Sequence, residues 1–234
     1  KNYLGVVKDE AKKADATLRL ADGYFVTKQY WPAMEMYNSI ISSNSSYKDY
    51  AAYQKAISYG FVDKTPTKID ELQKFINTYK SSSLVDDAIY ELGSTYANTN
   101  QTNKAIETFN QLLTNHPQSN LVSKAILRQG VVYVNANQVD KAIERFKKVV
   151  NDYPGSQDAI EAVQNARIAY LDSGRSNEFA SWVQGLDFVD ISTAELENDV
   201  YASAENQMAN NNHQAALKSF NDYLSTYPNG LHAT

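Results

Sequence analysis

The sequence predicts an all-α chain, a solenoid of about six helix-turn-helix repeats with a 35–37-residue period. Three observations predict it. Tyr24, Tyr59, Tyr96, Tyr133 and Tyr170 recur at steps of 35, 37, 37 and 37 residues, and the next step lands on Gln207. Around them, small and apolar residues recur in columns with helical rather than alternating spacing. Gly (9) and Pro (5) are too scarce in 234 residues for an all-β chain with many turns.

Numbering each repeat from 1 places the Tyr at position 11 and divides the chain as follows. Residues 1–13 read as the end of a preceding helix or repeat. Units then span 14–48, 49–85, 86–122, 123–159, 160–196 and 197–234, the last closing on the start of an unfinished unit. In the first helix of each pair, positions 4, 8 and 11 (Ile89, Gly93 and Tyr96 in the third copy) share one stripe. Position 8 is small where two helices cross closely: Ala21, Ala56, Gly93, Gly130 and Ala204, with Arg167 the departure. A polar turn such as Asn98–Asn103 follows. The second helix carries apolar residues at 20, 21, 24, 27 and 28, in the third copy Ala105, Ile106, Phe109, Leu112 and Leu113. Pro117, Pro154 and Pro228 at position 32 end the unit, because Pro lacks an N–H and disfavours helix in the residue before it. Ser119 and Ser156, two residues on, are expected to cap the next helix. Neither helix can bury its stripe alone, so stacked copies must share a core.

Two copies diverge. Lys68 at position 20 and Lys80 at position 32 mark the second. In the fifth, Arg167 at position 8 and Phe179 at position 20 are oversized for a close crossing and are expected to open that helix pair. Residues 186–192 have neither Pro nor helical periodicity and read as an extended linker, which either bends the solenoid or lengthens one loop. Ser192-Thr193-Ala194-Glu195 then reads as a capping box.

Composition excludes several kinds of chemistry. With 22 basic and 27 acidic side chains the net charge is −5, which argues against a phosphate-neutralising nucleic-acid binder. No apolar run approaches the ~18 residues of a membrane span. Without Cys there is no thiolate nucleophile and no Cys-ligated metal. His116, His213 and His232 are scattered, and His116 occupies the same slot as Tyr153 and Tyr227, as a packing residue would. Phosphate-binding loops, hydrolase elbows and metalloprotease motifs are all missing. Asp86 and Asp87 are the nearest thing to paired carboxylates, together with Asp187 and Asp190. At a helix start, Asp86 and Asp87 complement the dipole. The expectation is a chain that is not an enzyme, with no catalytic residue, metal or cofactor.

Leu-Gly-x-x-Tyr, then Ala, Phe and Pro at these spacings, resembles the tetratricopeptide repeat, whose period is about 34 residues. The resemblance spans about residues 14–230 and implies a right-handed superhelix. The extra residues fall after the Pro, in Pro117–Leu121 and Pro154–Asp158. That Tyr-Pro-x-Ser spacer resembles bacterial cell-envelope members, the Tol–Pal-associated periplasmic protein and the outer-membrane assembly lipoproteins. It implies a periplasmic or outer-membrane-associated location. The resemblance further implies that first helices line a concave groove for a protein or peptide, through positions 2, 5, 9 and 12. Candidate groove residues are Tyr50, Tyr53, Asp87, Tyr90, Lys124, Arg128 and Tyr201. Tyr suits such a surface, offering large contact area at low entropic cost, but Tyr53, Tyr90 and Tyr201 could equally pack on neighbouring helices. Lys124 and Arg128 fill positions 2 and 6 of the family's carboxylate clamp, yet Leu127 and Val131 leave it incomplete, which disfavours a chaperone-tail adaptor.

Charge is uneven along the chain. Residues 1–80 carry 12 basic and 9 acidic side chains, net +3, whereas 151–234 carry 3 and 12, net −9. The reading is a non-catalytic interaction scaffold that binds a peptide or protein segment. The alternative is a structural or self-assembling segment of a longer envelope protein, which would make homo-oligomers.

Overall fold

The computed structural model describes residues 9–233. Among the described residues every regular element is an α-helix, and successive helices form the predicted pairs. The chain divides into two compact units between Leu121 and Val122. The first unit holds α1 (Glu10–Val26), α2 (Tyr30–Ser42), α3 (Lys48–Gly60), α4 (Thr65–Thr78), α5 (Val85–Asn98) and α6 (Thr102–Asn115). The second holds α7 (Val122–Asn135), α8 (Val139–Asp152), α9 (Gln157–Asp172), α10 (Ser176–Val183), α11 (Thr193–Ala209) and α12 (His213–Thr226). Within each unit, successive helices pack on one another. Residues 1–8, part of the segment read as the end of a preceding repeat, lie outside the described residues.

The column pattern becomes the core. Ile89, Tyr96, Phe109 and Leu112 are buried in the first unit, as are Phe146, Val149 and Tyr170 in the second. Close approach of the paired helices explains the glycines at position 8. A methyl added at Gly93 would lie 2.8 Å from the Phe109 ring, and one at Gly130 would overlap the ring of Phe146. In the third and fourth copies Phe109 and Phe146 therefore leave room only for Gly at position 8, while the first, second and sixth copies carry Ala there with Tyr37, Leu72 and Phe220 at position 24.

The turn within each pair is built identically. Lys28, Asp63, Asn100, Asn137, Gly174 and Asn211 all have left-handed backbone, with φ between 55° and 70°. The N–H of the following residue returns to the carbonyl of the Tyr column, Gln101 to Tyr96 and Gln138 to Tyr133 at 2.9 Å, Arg175 to Tyr170 at 2.8 Å. This is the Schellman closure, for which Gly and Asn are the favoured residues. Asn212 makes the same bond to Gln207 at 2.9 Å, which shows why a Gln can stand in the Tyr column. The turn needs that residue's carbonyl, not its ring.

The loops between pairs also repeat. The carbonyls of Tyr79, His116 and Tyr153 accept from the N–H of Ser82, Ser119 and Ser156 at 2.9–3.1 Å, with Lys80, Pro117 and Pro154 next in the turn. Ser156 caps α9 as expected, its hydroxyl accepting from Ala159 N–H at 3.1 Å. Ser119 does not cap α7. That helix starts three residues later, and the Ser119 hydroxyl instead accepts from Leu121 N–H at 3.1 Å, bracing the loop.

The divergent copies adjust through polar pairs. Lys68 lays its methylenes against Gly60, 3.1 Å from where a Cβ there would sit, and its ammonium reaches Glu91. Phe179 is fully buried against Tyr170 and Trp182. Arg167 turns away from the α9–α10 crossing to make two bonds, 2.6 and 2.8 Å, to Asp199 on α11. Helix α10 is only eight residues long, and residues 186–192 carry no helix. The capping box at Ser192 and Glu195 is formed.

Two stability effects follow. Gly130→Ala should cost about 1–3 kcal/mol in urea unfolding, because Phe146 must shift, and adding Phe146→Leu should recover part of the loss. Lys28→Gly should gain about 0.5–1 kcal/mol, since Lys bears a left-handed penalty that Gly does not.

Candidate functional site

In the first unit, the sequence-predicted groove residues meet around two carboxylates. Asp22, at position 9 of the first copy, lies on α1. It accepts from the Tyr37 hydroxyl at 2.7 Å and from that of Tyr50, on α3, at 3.3 Å. Burial, reinforced by the bond to Asp22, holds the Tyr37 hydroxyl far above the usual tyrosine range. Tyr50 is raised too, by burial first and then by the charge of Asp22.

One turn further along α3, Tyr53 lies within the field of Asp87, Glu91 and Asp86 on α5, and burial followed by these charges pushes its hydroxyl up. Asp87 is half-buried, and burial together with neighbouring Asp86 raises its carboxyl above the ordinary range. Asp87 makes no hydrogen bond or ion pair among the described residues. The first-helix face of this unit therefore presents tyrosine hydroxyls interleaved with carboxylates.

The tyrosines at position 5 share a second role. Tyr53 packs on Phe75 with ring centroids 5.8 Å apart, Tyr90 on Phe109 at 5.9 Å, and Tyr201 on Phe220 at 5.7 Å. Each ring is thus braced by the second helix of its own repeat. Tyr201 is also covered by His232, stacked at 3.9 Å with the planes 11° apart. The loop carrying His232 is held by buried Glu197, which accepts from Tyr223 Oη at 2.7 Å and from Leu231 N–H at 2.5 Å. Lys124 and Arg128 sit exposed one turn apart on α7, in the second unit.

Sequence reasoning missed Asp22, Glu91, Glu197 and Asp199. Asp22 occupies a groove column and could have been found by extending that column to the first copy. A cleft of about 560 Å³ also opens in the first unit among Gln73, Tyr96, Lys104 and Gln111, largely second-helix residues. Gln73 donates to the Tyr96 hydroxyl there at 2.9 Å, and none of the predicted groove residues lines it. Among the described residues no group of three or more His, Asp or Glu could hold a metal ion. No helix among them is long and apolar enough to cross a membrane.

Repeated helix pairs with a close position 8 crossing define the tetratricopeptide class of fold. Residues 87–119 and 124–156 match the family model described as tetratricopeptide repeat. Among solved structures, a crystal structure of MamA is similar over 86% of this chain and 94% of its own, with a TM-score of 0.59 and 18% identity. Residues 41 to the end of MamA from Desulfovibrio magneticus RS-1 match over 74% and 92%, TM-score 0.59, at 14% identity. Nearly identical TPR-like repeats of a putative kinesin light chain from Podosopora anserina match over 77% and 95%, also at 0.59 and 14%. No curated protein matches the chain by sequence. At these identities the structural likeness is one of fold.

The tyrosine environment has a pH signature. Tyr37, Tyr50 and Tyr53 are raised when folded and titrate near 10 when unfolded, so above pH 10 the unfolded chain binds fewer protons and stability falls. A fraction of the tyrosine absorbance at 295 nm should therefore change only as helix content is lost, between about pH 10 and 12. Titration of all tyrosines before any loss of helix would contradict these placements.

Proposed function

We propose that the chain is a non-catalytic interaction scaffold that holds a peptide or protein segment against the first-helix face of its first unit. The observation that carries this reading is Asp87. It is half-buried beside Tyr53 and raised by burial, yet no cation among the described residues pairs with it. A carboxylate held in that setting gains by receiving a cation from outside. The tyrosines around it offer rigid aromatic walls and hydroxyls. A segment carrying Arg or Lys fits this face best. The tetratricopeptide fold and its structural neighbours support the scaffold class. The Tyr-Pro-x-Ser spacer is what supports a bacterial cell-envelope setting, at the periplasmic or outer-membrane periphery.

Peptides selected against the chain from a random 12-residue library should be enriched in Arg and Lys. Asp87→Asn should weaken their binding at least about tenfold, or ~1.4 kcal/mol, while helical circular dichroism is retained. Equal binding to that variant would count against this face.

A further inference from the structure

The turn edge of the first two copies is aromatic where that of later copies is polar. Tyr30 and Trp31 open α2, and Phe61 stands in the turn after α3. Tyr30 stacks on Phe61 with ring centroids 4.7 Å apart, and Phe25, in the last turn of α1, meets both rings edge-on at 5.6 Å. This bracing fixes the cluster without covering it, for Phe61 is 55% exposed and Trp31 56%. The third to fifth copies carry Asn98, Asn135 and Asp172 in the column of Phe61, and Asn103, Asp140 and Asn177 in that of Trp31. The fold therefore requires no aromatic at either place. Both columns stay open with a helix pair on either side. The α3–α4 pair, which precedes and follows Phe61, packs on α2 before it and on α5 after it. Pro66, its counterpart of Trp31, is exposed as well.

An exposed apolar patch of this kind marks a site for a protein partner or a membrane, and residue type and charge select the membrane. Trp and Tyr are the residues of the bilayer interface, where an apolar ring sits among hydrated headgroups. Lys28 and Lys64 lie exposed in the same two turns, and neither forms an ion pair among the described residues. Asp63 is the one acid in those turns. Lys28 keeps a left-handed backbone, φ 61°, where the third to sixth copies use Asn or Gly, so its place owes nothing to the turn. Two copies paired through this edge would set these lysines against each other, whereas an anionic lipid surface neutralises them. The net +3 of the first 80 residues has the same preference. We propose that the turn edge around Trp31 and Phe61 docks the first unit on the surface of an anionic lipid bilayer. The exposed rings enter the headgroup region, and Lys28 and Lys64 meet lipid phosphates.

Vesicle flotation and tryptophan fluorescence test this on the 234-residue chain. For fluorescence, Trp182→Phe removes the other tryptophan, so that emission reports Trp31 alone. With vesicles of phosphatidylcholine containing about 30% phosphatidylglycerol, the parent chain should float and Trp31 emission should move to shorter wavelength. Trp31→Ser combined with Phe61→Ser should weaken flotation at least about tenfold; both side chains are exposed, and circular dichroism confirms that each variant folds. Lys28→Gln combined with Lys64→Gln should weaken it about fivefold or more on the anionic vesicles, and leave binding to phosphatidylcholine alone unchanged. A parent chain that does not float overturns the proposal. Flotation with unshifted Trp31 emission, or undiminished in the serine variant, also overturns it, because another face is then adsorbing. A chain that ignores vesicles but forms dimers lost in the serine variant overturns it in favour of a second copy.

Discussion

Everything in this fold depends on how closely two helices of a pair can cross. Phe109 and Phe146 fill the crossing so completely that a single methyl on the facing helix has no room, and Gly93 and Gly130 are the consequence. Glycine inside a helix costs roughly 1 kcal/mol relative to alanine. Burying a whole phenylalanine returns about 1.5–3 kcal/mol, so the exchange favours the crossing. Once the crossing is set, the rest of each repeat follows from it. The turn must reverse the chain in three residues, which calls for a left-handed residue and explains the asparagines at positions 100, 137 and 211. The second helix must end in time to pass the chain to the next pair, which is done by the short turn through Pro117 or Pro154.

The same constraint decides where polar groups go. First helices held against their partners leave one face for other groups, and in the first unit it collects Asp22, Tyr50, Tyr53 and Asp87. The aromatic rings on that face are not loose. Their edges rest on Phe75 and Phe109, so hydroxyls are presented at fixed positions with little rotamer entropy left to lose on contact. Where a copy departs from the pattern, a charge pair bridges to the following repeat. Lys68 reaches Glu91, and Arg167 reaches Asp199 with two bonds. Departures from the repeat are thus tied to the neighbouring repeat.

Periodicity made visible those features whose environment recurs. The glycines at position 8, the tyrosine column, the prolines and the capping box at Ser192 all answer to a structural need present in copy after copy, or to a motif with fixed spacing. Groups that act once have no period to betray them. Glu197 secures a single closing loop, and Asp199 matters only because Arg167 happens to face it. Ser119 misled for a related reason. It shares its column with Ser156, but α7 starts two residues further from its serine than α9 does, and the same side chain makes a different turn. The tyrosines at position 5 were legible as large residues that either face a groove or pack, and only coordinates could show that each is braced by the second helix of its own repeat and that His232 covers Tyr201.

The proposed interaction surface lies on first helices, around Asp22, Tyr53 and Asp87, and not in the polar cleft beside Tyr96 and Gln111. Amide chemical-shift mapping during titration with an arginine-containing peptide tests that directly. Shifts should concentrate on α1, α3 and α5 near those three residues. Shifts confined to α4 and α6 would contradict it.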